Sequence, residues 1–222
     1  MHIKRFLFTA LVLFTLVGLA SAEQVCTESE YKGRTIKKCR DTGSSGGDSS
    51  MDSFTDPRDG QTYRTVQIGS QTWMAENLNY RTDDSYCYDD ESANCRKYGR
   101  LYTWNAALNA CPSGWHLPSK AEFETLIAAV GGYGVAGRAL KSTSGWMEDG
   151  NGTDVYGFSA LPAGYYNDGN FFNVGSNATF WSATEGSSNY AYAWYLSAGS
   201  AYLNGLNKGN GSAVRCLRNS PL

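Results

Sequence analysis

The sequence predicts an α+β domain built from short antiparallel strands, two helices and long loops. Runs of alternating apolar and polar residues recur along the chain, whereas helical spacing is confined to two stretches. Gly, Asn, Ser and Tyr are abundant, with 25 glycines and 15 tyrosines, and this composition favours turns and short strands. Six cysteines further indicate that disulfide bonds hold the loops together.

Residues 1–22 have the features of a cleaved signal peptide. Two basic residues precede an apolar run at 6–19, and Ala-Ser-Ala at 20–22 supplies the small residues of a cleavage site. A run of about 14 apolar residues is too short to cross a bilayer core, which argues against an anchor. We therefore expect a mature chain that begins near Glu23 and is secreted or held at the cell surface.

Charge and composition describe the rest of the chain. A net charge of −2 gives no general attraction to nucleic acid or anionic lipid, and we expect no later membrane span. Residues 23–40 predict a small disulfide hairpin. Residues 41–53 are rich in Gly, Ser and Asp and predict a flexible linker. Residues 54–222 are long enough for one globular domain.

The cysteine spacing suggests three bridges, although six cysteines allow 15 pairings. The suggested pairs are Cys26 with Cys39, Cys87 with Cys95, and Cys111 with Cys216. The long third loop would contribute roughly 4–5 kcal/mol in the chain-entropy model, against roughly 2.5–3 kcal/mol for the short ones. A zinc site is disfavoured because the chain has no Cys-x-x-Cys pair.

The first half of the globular domain predicts a hairpin and a short helix. Residues 61–68 alternate as in a strand, and a Gly-Ser turn leads them back into residues 71–77, which together predict a β-hairpin. Residues 101–110 predict a short helix with three apolar residues on one side, namely Leu101, Trp104 and Leu108.

Residues 119–130 give the stronger helix prediction. Ser119 and Glu122 form a capping box, which satisfies free amides in the first turn. Phe123, Leu126, Ile127 and Val130 then follow with the spacing of one buried helix face. No further helix pattern follows Gly131.

The second half of the domain predicts strands alone. Four strand-like runs, separated by Gly/Asn/Asp turns, occupy residues 157–161, 179–184, 190–197 and 212–218. In the third run Tyr190, Tyr192, Trp194 and Leu196 share one face. Short alternating runs in an exported protein predict an antiparallel sheet with one face covered.

Five sequence blocks together resemble one known family. They are FTDPRDGQTYRTVQIGSQTWMAENLNY, YGRLYTWNAALNACPSGWHLPSKAEFETLI, GFSALPAGYY, FWSATE and SAVRCLR, in that order across residues 54–219. The order resembles the Fibrobacter succinogenes major paralogous domain family. The resemblance implies an exported or surface protein with a C-type-lectin-like fold, close to the formylglycine-generating-enzyme branch. It also implies a bridge from the first helical region to the last strand, as Cys111 and Cys216 would form.

No motif in the sequence predicts catalysis. The zinc-protease motif and the phosphate-binding loop are both absent. His116 is the only histidine after residue 22, and its place before a capped helix favours a structural role. A formylglycine-generating enzyme, the remaining catalytic alternative, would need reactive thiols, whereas every cysteine has a plausible bridge partner. We expect a protein that is not an enzyme.

We also expect no metal or other cofactor. The Glu-Pro-Asn, Gln-Pro-Asp and Trp-Asn-Asp tripeptides that bind calcium in lectins are absent, and Tyr166-Asn167-Asp168 is more typical of a turn. A structural calcium ion could be held by Asp149, Asn151 and Asp154, although oxygen-rich loops usually stay solvated.

The predicted binding surface consists of aromatic residues in two segments of the second half. Its members are Tyr165, Tyr166, Phe171, Tyr190, Tyr192, Trp194 and Tyr202. Tyrosine offers a large contact area at a small entropic cost, and neighbouring Ser, Asn and Gly add adaptable polar contacts. We expect these rings to line one exposed patch for a saccharide or a protein partner. If they are buried instead, a structural role in the envelope or in an extracellular assembly is favoured.

Overall fold

A computed structural model describes residues 24–31, 34–41, 52–197 and 200–220, with side chains from residue 52 onward. The predicted signal peptide and nearly all of the predicted linker lie outside these ranges. The chain divides into two compact units, residues 1–50 and 51–222. In the described part of the chain, no helix has the length and apolar character needed to cross a membrane.

The first unit contains one antiparallel hairpin. Its strands are β1 (Gln24–Tyr31) and β2 (Arg34–Asp41), and their register places Cys26 opposite Cys39. The two side chains lie outside the description, so this bridge stays a prediction.

The second unit is α+β with short antiparallel sheets, as predicted. One sheet has the strand order β3-β4-β5-β15-β8 and another β13-β12-β11-β14-β7-β6, while β9 and β10 form a separate hairpin. The strands are β3 (Ser53–Thr55), β4 (Thr62–Ile68), β5 (Gln71–Met74), β6 (Ser85–Tyr86), β7 (Leu101–Tyr102), β8 (Trp115–His116), β9 (Tyr165–Asn167), β10 (Asn170–Phe172), β11 (Ala178–Glu185), β12 (Tyr190–Leu196), β13 (Ala201–Asn207), β14 (Ser212–Ala213) and β15 (Leu217–Arg218).

Four helices are present in the described residues of this unit. They are α1 (Ser92–Tyr98), α2 (Trp104–Ala107), α3 (Lys120–Ala129) and α4 (Tyr133–Leu140). Helix α3 confirms its prediction: the Ser119–Glu122 capping box is formed in both directions. The expectation that no helix follows Gly131 is wrong, because α4 does. Helix α4 buries Ala136, Ala139 and Leu140, so packing offsets the weak helix propensity of its two glycines.

Three predicted elements differ in the structure. The helix at 101–110 is limited to α2, because Leu101 belongs to strand β7 and Leu108 is 39% exposed. Residues 157–161 form no strand beyond an isolated bridge of Ala160 with Lys141. The strand at 212–218 is divided between two sheets as β14 and β15.

The central strands β11 and β12 are covered on both faces, which corrects the prediction of one covered face. On one face Trp194 and Phe180 pack against Phe123 of α3. On the other face Ala193 and Trp181 belong to a second core cluster. The alternating pattern gave the wrong prediction for the second face because alanines occupy it in β12, and their small side chains still exclude water.

Two disulfide bonds connect described residues of the second unit, Cys87–Cys95 and Cys111–Cys216. Both pairs agree with the spacing prediction. The second bond spans 105 residues and ties the region after α2 to the segment before β15, whereas the first closes a loop of 8 residues.

Candidate functional site

The predicted aromatic patch is divided among four places in the structure: the core, the start of β12 and the two faces of the β9–β10 hairpin. Trp194 is fully buried and packs on Phe123, Phe158 and Phe180, so its predicted ligand contact is wrong. Tyr190 is 49% exposed at the start of β12. Tyr192 lies near the same end of β12, where the Lys120 ammonium is 5.5 Å from its ring centre.

The β9–β10 hairpin separates the remaining predicted residues. Its loop contains Asp168 and Gly169, both with positive φ, as in the type I′ turns that suit tight hairpins. This geometry confirms the interpretation of 166–168 as part of a turn. Successive side chains on a strand point to opposite faces, so Tyr165 and Tyr166 serve different surfaces.

On one face of the hairpin, Tyr166 forms the wall of an open cleft of about 560 Å³. Its ring stacks on Tyr86 with centres 4.1 Å apart and planes 17° from parallel, and Phe171 packs behind it at 5.3 Å. The other lining residues are polar or small, namely Asn167, Asp168, Asn207, Gly209 and Asn210. The cleft therefore combines an aromatic wall with several amides and one carboxylate.

Tyr86 is positioned by β6 and by the adjacent disulfide. Strand β6 pairs with β7, and Cys87 then bonds to Cys95 on α1. Arg100 holds the strand and the bridge together. Its Nε and Nη2 donate to the hydroxyl and carbonyl of Ser85 at 2.9 and 2.8 Å, and its Nη1 lies 3.5 and 3.4 Å from the two sulfurs.

The loop at 207–211 is fixed to the hairpin by its backbone. Tyr166 and Gly211 exchange two backbone hydrogen bonds of 2.9 and 2.8 Å. A Cβ atom at Gly211 would lie 2.9 Å from Cβ of Tyr166, so only glycine permits this approach. The side-chain oxygen of Asn207, which lines the cleft, accepts from Gly209 N–H at 2.9 Å and is thereby held in place.

The ionisation of Tyr86 favours a neutral hydroxyl at the cleft. Partial burial, the adjacent Tyr166 and the charge of Asp84 raise the pKa of Tyr86 above its ordinary value. The phenol therefore remains a hydrogen-bond donor and acceptor at physiological pH. Asp168, at the exposed tip of the hairpin, supplies the carboxylate that lines the cleft.

A second aromatic group lies on the opposite face of the hairpin and continues onto strands β12 and β13. We call it the aromatic row, and its members are Tyr165 and Phe172 of the hairpin, Tyr195 of β12 and Tyr202 of β13. Tyr165 stacks on Phe172 at 5.5 Å, and Tyr195 stacks on Tyr202 at 5.1 Å with planes 9° from parallel. Burial and the nearby phenols of Tyr202 and Tyr165 raise the pKa of Tyr195 to about 12. The single patch expected from the sequence is thus at least two surfaces.

Residues 66–218 match the family model described as the Fibrobacter succinogenes major domain (Fib_succ_major). The chain belongs to this family. The match covers the region from strand β4 to strand β15, including the cleft and the aromatic row. No curated protein and no solved structure matches the chain.

In this major domain, His116 lies between two oxygen acceptors. Its Nδ1 is 2.6 Å from Asn219 Oδ1 and its Nε2 is 2.9 Å from Glu122 Oε1. Burial alone would raise the pKa of Glu122, but hydrogen bonds from the Ser119 backbone and from His116 lower it. Glu122 is also the capping residue of α3, so these contacts join β8, α3 and the C-terminal segment.

Two of the three predicted calcium ligands of the major domain accept hydrogen bonds from within the protein. Asn151 Oδ1 accepts from Trp146 N–H at 3.0 Å. Asp154 accepts from both the backbone and the hydroxyl of Ser159. Among the described residues, no three His, Cys, Asp or Glu side chains gather to hold a metal ion.

Of the seven residues that line the cleft of the major domain, only Tyr166 was among the predicted binding residues. Tyr86, Asn207 and Asn210 were not predicted, although each is near a visible signal. Tyr86 precedes the first cysteine of a short loop, and the two asparagines flank the Lys-Gly turn at 208–209. These signals indicate rigid loops, but not that the loops meet.

Proposed function

We propose that this major domain is an exported, non-catalytic recognition module that binds a saccharide in the Tyr86–Tyr166 cleft. The observation that carries the proposal is the stacked tyrosine pair, with ring centres 4.1 Å apart, beside a wall of amides and one carboxylate. Exposed aromatic surface on an exported protein usually marks an interaction site.

The chemistry of the cleft fits a neutral sugar. Aromatic rings carry a negative face, which attracts the weakly positive C–H groups on the flat side of a pyranose. Asn167, Asn207 and Asn210 offer both donors and acceptors, as the hydroxyls of a sugar require. The single carboxylate of Asp168 can accept from two neighbouring hydroxyls. A phosphate or an acidic peptide would lack a cationic partner among these lining residues.

The scaffold we propose is C-type-lectin-like. The supports are the block order of the sequence, the long Cys111–Cys216 bond near the C-terminal strand, and loops that present the cleft from a mixed α+β body. Disulfide bonds support export to the periplasm or the cell exterior. Recognition is proposed without calcium, because Asn151 and Asp154 already satisfy groups of the protein.

The absence of catalysis is part of the same proposal. His116 does not line the cleft, and its ring nitrogens are engaged by Asn219 and Glu122. The sulfurs of Cys87, Cys95, Cys111 and Cys216 are in disulfides, which leaves no thiol there for formylglycine-type chemistry. If a glycan is cleaved by the protein and His116→Ala abolishes the cleavage without unfolding, the non-catalytic reading is wrong.

A glycan array followed by calorimetry tests the proposal. The oxidised mature chain should retain neutral oligosaccharides, with hexaoses of glucose, xylose, mannose and galactose as the calorimetric probes. Tyr166→Ala and Asn207→Ala should weaken binding at least tenfold, whereas Tyr190→Ala, an exposed tyrosine outside the cleft, should not. Absence of binding to every glycan, or equal loss in the Tyr190 control, would favour a protein ligand or the structural role.

A further inference from the structure

The strand register builds the aromatic row as one continuous feature. Residues directly opposite in antiparallel strands share a face, and β11, β12 and β13 place Thr179, Tyr195 and Tyr202 opposite one another. On the other side of β11, a parallel bridge pairs Gly164 with Ala178 and so brings Tyr165 alongside Thr179. Four rings therefore follow one line across the sheet, with the small side chain of Thr179 in the middle.

The row is a shallow surface with exposed ends. Phe172 is 40% exposed at one end and Tyr202 is 45% exposed at the other, while Tyr165 and Tyr195 are partly buried between them. Thr179, which lies between the two stacked pairs, is only 1% exposed. The row therefore consists of two stacked aromatic pairs on either side of one buried threonine.

Its surroundings are polar but uncharged. Residues 190–207, which supply half of the row, contain no Asp, Glu, Lys or Arg. Asn204 is exposed on β13 between Tyr202 and Leu206, and its side chain already accepts from Gly205 N–H at 2.8 Å. Aromatic faces bordered by neutral amides suit a sugar chain, whereas a protein interface of ordinary size would also be enriched in methionine and arginine.

The row and the cleft are separated by the β9–β10 hairpin. Tyr165 and Tyr166 are neighbours in sequence and lie on opposite faces of the hairpin, with Tyr165 in the row and Tyr166 in the cleft. One sugar residue cannot contact both surfaces. A long polysaccharide, or two separate chains, can.

We propose that the aromatic row is a second saccharide-binding surface, so that one domain holds a neutral polysaccharide at two points. The expected ligand is a polymer of pyranose rings with mostly equatorial hydroxyls, because such rings present flat C–H faces. This inference rests on the proposed function of the cleft for the identity of the ligand class. Two linked sites raise the apparent affinity for a polymer above that for a short oligosaccharide, without any new contact.

The experiment compares the mature chain with single and double variants. Mannan, xylan and mixed-linkage β-glucan are cast into native gels, and the retardation of each protein gives its apparent affinity. The matching hexasaccharide gives the stoichiometry by calorimetry. The variants are Tyr202→Ala for the row, Tyr166→Ala for the cleft, the double variant, and Tyr190→Ala as the matched control. Phe172→Ala is a second row variant, used if Tyr202→Ala does not fold.

The wild-type chain should bind two hexasaccharides, and each single variant one. Each single variant should lose at least tenfold in apparent affinity for the polymer, and the double variant should lose retardation altogether. One hexasaccharide per wild-type chain, together with unchanged retardation of the folded row variant, overturns this inference and leaves the cleft proposal intact. If the row variant loses all binding while Tyr166→Ala loses none, the cleft proposal is overturned instead. Absence of retardation by all three polysaccharides overturns both.

Discussion

Arg215 donates two hydrogen bonds to the side-chain oxygen of Asn77, from Nε at 3.0 Å and from Nη2 at 2.8 Å. Both residues are buried, and Arg215 is completely so. Its guanidinium also donates to the carbonyls of Met74, Phe158 and Ser159, and it lies 4.4 Å from the ring centre of Phe158. The end of β5, the 158–159 loop and the C-terminal segment are therefore joined by one side chain.

The charge of Arg215 is balanced by dipoles rather than by a contacting carboxylate. Within the described residues its hydrogen-bond partners are one amide oxygen and three backbone carbonyls. Burial lowers the pKa of Arg215 to about 9, so the group remains charged at neutral pH. A buried charge of this kind contributes specificity for one arrangement of the loops, because only the planar guanidinium group, with its several N–H donors, reaches all of these acceptors.

Replacement of the Arg215 guanidinium group should destabilise the domain strongly. We expect Arg215→Lys to cost about 2–4 kcal/mol of unfolding free energy, because the lysine cannot serve Asn77 and the carbonyls together and leaves buried acceptors unpaired. Urea unfolding measures the change. The control is Arg218→Lys, an exposed arginine beside Trp115, which should change stability by no more than about 0.5 kcal/mol. A cost for Arg215→Lys as small as that of the control would contradict the account.

The Cys111–Cys216 bond should matter more to stability than any other single covalent feature. Its 105-residue separation removes more freedom from the unfolded chain than a short loop does. We expect the double substitution of both cysteines by alanine to cost about 2–5 kcal/mol or to prevent folding at 37 °C. Thermal unfolding, with non-reduced peptide mapping of the wild type, checks the effect. A loss of unfolding free energy below about 1 kcal/mol would mean that packing of the core alone holds these segments together.

Alkaline pH should destabilise the domain through two tyrosines with raised pKa values, the buried Tyr63 and the partly buried Tyr195. Burial raises the pKa of Tyr63 to about 12, and the pKa of Tyr195 is raised to the same value. In the unfolded chain a tyrosine ionises near pH 10. Between pH 10 and 12 the unfolded state therefore binds fewer protons, and stability falls as pH rises, by up to about 1.4 kcal/mol per unit for each group.

Absorbance of tyrosinate against pH tests this prediction. The folded protein should show late ionisation that Tyr63→Phe and Tyr195→Phe each reduce by one group. The two phenylalanine variants should also lose less stability than the wild type between pH 10 and 12. The prediction would be contradicted if all tyrosines of the folded protein ionised near pH 10 and the two variants lost as much stability as the wild type.

The parts of the fold that depend on local sequence could be predicted, and the parts that depend on distant contacts could not. Helix α3 carries its capping box and apolar spacing in twelve consecutive positions. Helix α4 lacks such a pattern: Gly134 and Gly137 weaken it, and it forms against β13, where a Cβ at Gly137 would lie 3.3 Å from Ala201.

The candidate site shows the same division. Alternation correctly indicated that Tyr190 and Tyr192 share a face with Trp194, but not that Trp194 is buried against Phe123 of helix α3 while Tyr190 stays exposed. Tyr86 joined the cleft through β6–β7 pairing, and the 207–211 loop joined it through Gly211 and Tyr166. Such non-local pairings have no signature in a single sequence, whereas the short Cys87–Cys95 spacing does.

The Cys87–Cys95 bond should affect binding more than it affects the core. It closes only 8 residues, but it follows Tyr86 directly and is contacted by Arg100. We expect Cys87→Ser with Cys95→Ser to weaken oligosaccharide binding at least tenfold, because Tyr86 would lose its fixed stack on Tyr166. The domain should remain folded, since the hydrophobic clusters around Trp73 and Trp181 do not involve this loop.

Calorimetry measures the affinity, and amide exchange at Ser85 and Tyr86 reports the order of the strand without any ligand. Arg100→Lys, which keeps the bond but loses the paired donation to Ser85, should raise exchange at these two amides to a smaller extent. Unchanged exchange and unchanged affinity in the serine variant would show that β6–β7 pairing alone positions Tyr86.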